Sequence, residues 1–125
     1  MNPAELKTIR ESLNLTCREL GDRVGVRSVR TVQFWEAEED GRPIPPQVSE
    51  ALLAWDEAVN SAVMRVAAHY LMAMDGEDEI TLLRQEHGEF DGDTLPHSRR
   101  LHHAYLARLR RELTRIGLDV TIEFE

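Results

Sequence analysis

The spacing of hydrophobic positions predicts that the first part of the chain consists of short helices. The apolar residues of the first segment recur at three- and four-residue steps and are Leu6, Ile9 and Leu13. Asn2 followed by Pro3 predicts the start of this helix, because asparagine caps a helix and proline fits its first turn. Glu5 completes a capping box with Asn2. We expect this helix to end near Asn14.

Two more short helices follow. Thr16 predicts the N-cap of the second helix, and Gly25 predicts its end because glycine readily adopts the left-handed conformation. Gly21 inside this helix costs about 1 kcal/mol relative to alanine, so we expect another backbone to approach it closely. Ser28 predicts the cap of a third helix, which runs from Val29 to about residue 37.

The longest periodic segment, residues 47–74, predicts a long helix. Its apolar residues cover more than one stripe, so we expect it to pack against both its own domain and a partner subunit. The residues that we assign to a dimer interface on this helix are Trp55, Val59, Val63 and Tyr70.

The last part of the chain predicts a strand, a helix and a second strand. Residues 80–85 favour a strand, and residues 99–117 favour a helix with one leucine-rich face. Residues 118–125 alternate strictly between apolar and polar, which is typical of a strand with one exposed face. Two strands make a poor sheet alone. We therefore expect the sheet to be completed across a two-fold dimer axis, through Val120, Ile122 and Phe124, or to be covered by helix 99–117.

These elements predict a mainly α-helical protein in two parts. The two short helices joined by a glycine-containing turn match the helix-turn-helix pattern, so residues 1–55 are assigned to a DNA-binding bundle. Residues 56–125 are assigned to the rest of the long helix and a small α+β dimerisation unit with a strand–helix–strand order.

Composition and charge narrow the class of protein. The 125-residue chain is 42% hydrophobic, as in a globular domain, and its one cysteine excludes an intrachain disulfide. No segment has the apolar length of a signal core or a membrane span, so we expect a cytoplasmic protein without a membrane partner. The net charge of −8 is unevenly distributed, being +2 over residues 1–35 and −10 over the remainder. A basic N-terminal part on an otherwise acidic chain favours binding of an anionic partner at that part.

The third helix predicts a face suited to reading DNA bases. At about 100° per residue, Val32 and Trp35 lie together and point inward. The opposite arc of about 140° holds Val29, Arg30, Gln33 and Phe34. Arginine bonds guanine, glutamine bonds adenine, and apolar groups contact the thymine methyl in the major groove. We assign these four residues to base reading.

The segments "LTCRELGDRVGV" and "RTVQFWE" resemble the Cro/CI-type (XRE-like) helix-turn-helix of phage and bacterial repressors. The resemblance covers about residues 3–55. It is closest to anti-CRISPR-associated repressors and YdiL-like regulators, whose turn is one residue longer and whose second domain serves dimerisation. The resemblance implies a dimeric autorepressor that binds double-stranded DNA at an inverted repeat in a promoter.

The resemblance also implies roles for individual residues. It supports base reading by Arg30, Gln33 and Phe34, and it implies a partly buried ion pair between Arg10 and Glu36. The residues that it places near phosphate at helix starts, or that flank the third helix, are Thr16, Cys17, Ser28, Arg27 and Arg42. Cys17 departs from the family pattern, where a polar side chain often bonds phosphate. The acidic run at residues 38–40 is a second departure, and it would repel phosphate if it pointed toward DNA.

Other chemistry has weaker support in the sequence. No nucleophile motif, phosphate-binding glycine loop or zinc spacing is present, so we expect neither enzymatic activity nor a cofactor. The histidines at 97, 102 and 103 lack a third ligand, and the acids at 89, 91 and 93 do not complete a calcium loop. The arginines at 108, 110, 111 and 115 favour a solvated face paired with local acids, with nucleic-acid contact as the alternative. For Cys17, a buried structural role stands against redox sensing.

Two other functions remain open at this point. The chain could be an antitoxin that binds DNA but mainly neutralises a protein, with residues 86–98 as its candidate toxin-binding segment. It could also be a regulator that binds RNA with the same surface.

Overall fold

The computed structural model describes residues 1–37, 43–73, 79–84 and 99–125. Within these ranges the protein is mainly helical, with a small parallel sheet near its C-terminus, as the sequence predicts. The chain divides into two compact units, Met1–Asp56 and Glu57–Glu125. Several predictions lie outside the described residues: the role of Arg42, the acidic run 38–40, the candidate calcium ligands, His97, and the toxin-binding segment 86–98.

The first unit contains α1 (Pro3–Ser12), α2 (Cys17–Val24), α3 (Val29–Glu36) and the start of α4 (Pro46–Ala73). Its core is built from buried leucines and valines together with one tryptophan: Leu6, Leu13, Leu15, Leu20, Val32, Trp35, Val48 and Leu52. Helix α3 packs against both α1 and α2. The predicted bounds of the three short helices are confirmed to within two residues.

Local capping explains where the first helices begin and end. Asn2 and Glu5 form the predicted capping box at the start of α1. The Thr16 hydroxyl accepts a hydrogen bond from the Glu19 amide at 3.1 Å and caps α2. Gly25 closes α2 with a φ of 80°, in the left-handed region that favours glycine.

The second unit contains the remainder of α4, then β1 (Glu79–Arg84), α5 (Arg99–Arg115) and β2 (Asp119–Phe124). The strands pair in parallel, with Glu79 opposite Asp119 and Arg84 opposite Phe124. Parallel neighbours need a long crossover, which α5 provides here. Helix α5 packs against both strands. The predicted strand pair is therefore confirmed, and the helix is what covers it within one chain.

Two of the seven residues assigned to a dimer interface are buried within the chain. Val59 and Val63 are buried, because they contribute to the core of the single chain, so they are not available to a partner. Trp55 is half-buried, and the Arg23 guanidinium lies 5.6 Å from its ring centroid within the first unit. Tyr70 is also half-buried.

On β2 the predicted interface is also partly covered. Val120 and Ile122 are half-buried, whereas Phe124 at the end of the strand is 74% exposed. The apolar residues that α4 does expose are different ones: Leu53, Met64, Leu71 and Met72. Across the described residues, no helix combines the length and hydropathy that crossing a bilayer requires.

Candidate nucleic-acid interface

Helix α3 has one anchored face and one polar face. Val32 is fully buried and Trp35 is 5% exposed, so these two side chains fix the inner face. Arg30 and Gln33 are exposed on the opposite side. Arg27 and Ser28, which immediately precede the helix, are exposed as well. The predicted inward and outward faces of α3 are thus present.

Val29 and Phe34 are half-buried, which corrects the expectation that both are exposed. The helical arrangement gives the reason. They lie at the two ends of the outward arc, next to the buried side of the helix, whereas Arg30 and Gln33 lie in the middle. The fully exposed part of the face is therefore polar, with partly covered apolar edges.

An ion pair ties the end of α3 to α1. The Arg10 guanidinium donates to both Glu36 carboxylate oxygens, from Nε at 2.9 Å and from Nη2 at 2.8 Å. Its Nη1 donates to the Leu15 carbonyl at 2.7 Å. The side chains of the pair are only 12% and 8% exposed, and the hydrogen bond to Glu36 raises the pKa of Arg10. Glu36 is thus held by structure and does not lie free on the helix.

Cys17 joins this ion pair. Its Sγ donates a hydrogen bond to Glu36 Oε2 at 3.2 Å. Burial, and next the hydrogen bond to Glu36, raise the pKa of the thiol above its ordinary value of 9.0. The helix N-terminus alone would lower that pKa, but the surroundings oppose it. The side chain therefore does not reach outward to phosphate, and only its backbone N–H stands at the start of α2.

Ser28 occupies the N-cap position of α3, but its side chain makes no capping hydrogen bond. This corrects the prediction that it caps the helix. Its exposed hydroxyl is therefore not used by the first turn of α3. Thr16 differs, since its hydroxyl oxygen accepts a capping hydrogen bond from the Glu19 amide.

Gly21 sets the spacing between α2 and α3. A β-carbon at this position would lie 3.1 Å from the Val26 carbonyl oxygen and 3.4 Å from a Val32 methyl. The Val26 amide in turn donates to the Gly21 carbonyl at 2.7 Å. The predicted close backbone approach is confirmed, and it holds the turn that precedes α3 against α2.

Two cationic residues near this face were not predicted. Lys7 of α1 lines a shallow depression whose other walls include Gln33 and Cys17. Arg18 is exposed in the first turn of α2. The helical period places Lys7 on the polar side of α1, but only the packing of α1 on α3 brings it to Gln33, and sequence spacing does not encode that packing.

The charges around the polar face are mostly positive. Two of the four acids of α1 and α2 lie near other cations, with Lys7 4.0 Å from Glu11 and Arg23 4.0 Å from Glu19. No carboxylate of the described ranges forms an ion pair with Arg18, Arg27 or Arg30. These three arginines are exposed and available to an anion.

Comparison with known proteins gives no family for this chain. No protein-family model matches it. No curated protein matches it in sequence either. In the part of the chain that the structure describes, no group of three metal-ligating side chains comes together, and His102 and His103 stand without a third ligand.

Proposed function

We propose that the chain is a sequence-specific, DNA-binding transcriptional repressor that acts as a homodimer on an inverted repeat and controls its own promoter. In this proposal α2 and α3 form a helix-turn-helix of the Cro/CI type, and α3 enters the major groove. The observation that carries the proposal is the exposure of Arg30 and Gln33 in the middle of a helix face whose opposite side is anchored.

Base reading falls to the middle of that face. Arg30 would donate two hydrogen bonds to guanine, and Gln33 would pair with adenine. Val29 and Phe34, at the half-buried edges, keep enough exposed surface to contact a thymine methyl. Such contacts need a helix that does not shift, and the bidentate bond between Arg10 and Glu36 supports this.

Phosphate contacts would position the helix. Arg27 and the free hydroxyl of Ser28 lie directly before α3, and Arg18 lies at the start of α2. Side chains of this kind fix the register of a protein on the duplex and carry no base preference. The Cys17 thiol donates to Glu36, so its part is limited to the backbone N–H, whereas the exposed Thr16 hydroxyl accepts from the Glu19 amide and keeps its O–H to donate to phosphate.

A two-fold dimer would place two recognition helices about 34 Å apart, one turn of B-DNA. Among the described residues, the exposed apolar side chains available for self-association include those on α4, Leu83 on β1 and Phe124 on β2. Because Val59 and Val63 are buried in the chain, they have no part in the proposed interface.

The first test is binding of the purified chain to the DNA directly upstream of its own gene, at two salt concentrations, with an unrelated duplex as control. We expect selective binding to an inverted repeat that weakens with salt. Arg30→Ala should cost about 1–3 kcal/mol and relax the preference at one base pair. Arg27→Ala should weaken binding to all sequences alike, which makes it the matched control.

Equal, weak binding to both duplexes would contradict the proposal. An unchanged operator affinity of Arg30→Ala would remove Arg30 from the base readers. Competition by an RNA hairpin at the same site would favour the RNA-binding alternative. A toxic protein encoded next to the gene and neutralised by this chain would favour the antitoxin alternative.

A further inference from the structure

The second unit has a basic helix face on α5, which is separate from the proposed recognition helix α3. Helix α5 holds six arginines and one acid, Glu112, in a part of the chain where acids predominate. Its inner side is occupied by buried residues, including Leu101, Leu109 and Leu113. The arginines therefore lie on or beside the side that faces away from the core.

The middle of this outer side carries short side chains, and arginines stand at its edges. Four exposed residues, Ala107, Arg110, Arg111 and Thr114, lie within an arc of about 100°. The small Ala107 and the short Thr114 form its middle, and Arg110 and Arg111 stand on either side. We call these four residues the arginine face. No acid of the described ranges forms an ion pair with Arg110 or Arg111.

The neighbouring arginines are engaged differently. Arg115 donates to Glu112 within α5, with an Nε–Oε2 distance of 3.0 Å, and Arg108 donates to Asn60 of α4 at 2.7 Å. The expectation of local acid pairing therefore holds for Arg115, and it fails for Arg110 and Arg111. Arg110 and Arg111, which form no ion pair within the described ranges, therefore remain on either side of a strip of short side chains.

The residue types of the arginine face suit binding to a polyanion better than binding to a protein surface. The centre of a protein interface is enriched in aromatic residues and methionine as well as arginine, and the arginine face has no large apolar residue. A phosphate backbone needs close approach, cations on either side and hydroxyl donors, which small residues, arginines and threonine provide.

We propose that the arginine face of α5 is a second DNA-binding surface, which contacts the phosphate backbone of the bound duplex without reading its sequence. The inference rests on the proposed DNA-binding function and assigns the second unit a part in it. It accounts for two arginines that form no ion pair within the described ranges, on an otherwise acidic half of the chain, and it makes affinity more dependent on salt than contacts from the first unit alone would.

The test is a salt titration of DNA binding by the full-length chain, with Arg110→Gln and Arg111→Gln singly and combined. Each phosphate contact contributes about 0.9 to the slope of log affinity against log salt. In the homodimer the double variant removes four such contacts, so the advantage of the wild type over it should shrink roughly a hundredfold between 50 and 200 mM salt. The loss should be the same on the operator and on an unrelated duplex.

Arg65→Gln is the matched control. Arg65 is also exposed and belongs to the second unit, but it lies on α4 outside the arginine face, so its removal should leave the slope unchanged. Ala107→Glu is a second variant, which keeps every arginine and adds an anion to the exposed middle of the face; it should weaken binding to both duplexes. Circular dichroism checks that each variant is folded.

The outcomes separate this inference from the proposed function. Selective operator binding with an unchanged slope in the double variant would overturn the arginine face alone. An equal change in slope for Arg65→Gln would overturn it too, since the effect would then come from net charge. A loss confined to RNA, or to association with a protein, would assign the face to another partner. A wild type that binds no DNA would overturn both proposals.

Discussion

The two units of this protein reach their folds by different means. In the first unit α1 and α2 carry local start and stop signals, such as the capping box at Asn2 and the left-handed Gly25. In the second unit the sheet exists only because β1 and β2 meet across a helix, with Ile80 opposite Val120. Signals of the first kind are local in the chain, and the second kind depends on distant residues. Local signals can therefore be interpreted directly from the sequence, whereas contacts between distant residues cannot.

The same contrast applies to their polar groups. The first unit buries an ion pair that joins α1 to α3, with a thiol bonded to it. In the second unit the pair between Arg115 and Glu112 lies at the surface. A buried pair fixes a helix in place, whereas an exposed pair contributes little to stability.

The largest expected effect comes from the core of the second unit. Leu109 is 1% exposed on α5. Leu109→Ala should lower the free energy of unfolding by about 2–5 kcal/mol, through lost burial and the cavity left behind. Urea unfolding followed by circular dichroism measures this. Both tryptophans, Trp35 and Trp55, lie in the first unit, so their emission reports on that unit separately. An equal shift of the tryptophan transition would show that the two units unfold together.

The next effect tests the buried pair of the first unit. Glu36→Ala leaves the Arg10 guanidinium buried without its carboxylate, and we expect a loss of about 3 kcal/mol in the free energy of unfolding. Tryptophan emission during urea unfolding measures it. Glu11→Ala is the control, because Glu11 is 57% exposed and lies 3.7 Å from the same arginine. Similar losses for both variants would show that the bidentate bond is not what fixes α3.

A smaller effect distinguishes two helix caps. Thr16→Ala removes a capping hydrogen bond and should cost about 1 kcal/mol of stability. Ser28→Ala removes a hydroxyl that makes no cap and should change stability by less than about 0.5 kcal/mol. Thermal unfolding compares the two. If Ser28→Ala costs as much as Thr16→Ala, the Ser28 hydroxyl caps α3 in solution and is not available to phosphate.

The smallest effect is the dependence of the second unit on pH. Burial, and next the neighbouring His103, lower the pKa of His102 below its ordinary value of 6.5; Arg84 lowers it further, while Glu125 and a backbone bond to Leu83 oppose the shift. Below about pH 6.5 the unfolded chain therefore binds more protons than the folded one, and stability falls as the pH falls. His102→Gln should flatten this decline in urea unfolding between pH 7 and 5. An equally steep decline in the variant would assign the effect to other groups.

The sequence predicts the helices and the caps at Asn2, Thr16 and Gly25 because those depend on residues close together in the chain. It predicts the two strands from local alternation, and their pairing from the need of one exposed apolar face for cover. It also predicted the anchored and polar faces of α3, since one helical period determines both. It did not give the partial burial of Val29 and Phe34, which depends on how far neighbouring helices cover the edges of α3. The bond from Cys17 to Glu36 was missed for the same reason, because 19 residues separate the two.

The dimer interface stays a prediction, but two of the residues assigned to it, Val59 and Val63, are buried within the chain. A helix that is apolar on several sides can bury them against its own chain or against a second one, and periodicity does not distinguish the two cases. The structure assigns Val59 and Val63 to the chain itself and leaves Met64 and Leu71 exposed. Which apolar stripe remains open depends on α5 and the sheet, whose packing is not local.

The parallel strand pairing also affects the order in which the molecule can form. The paired residues of β1 and β2 are about 40 positions apart, and contacts between distant residues slow folding because a long loop must close first. During synthesis the first unit can complete its contacts while β2 has not yet left the ribosome. Until β2 emerges, the edge of β1 has no strand to pair with. In this interval the nascent chain is most prone to aggregation and most in need of a chaperone.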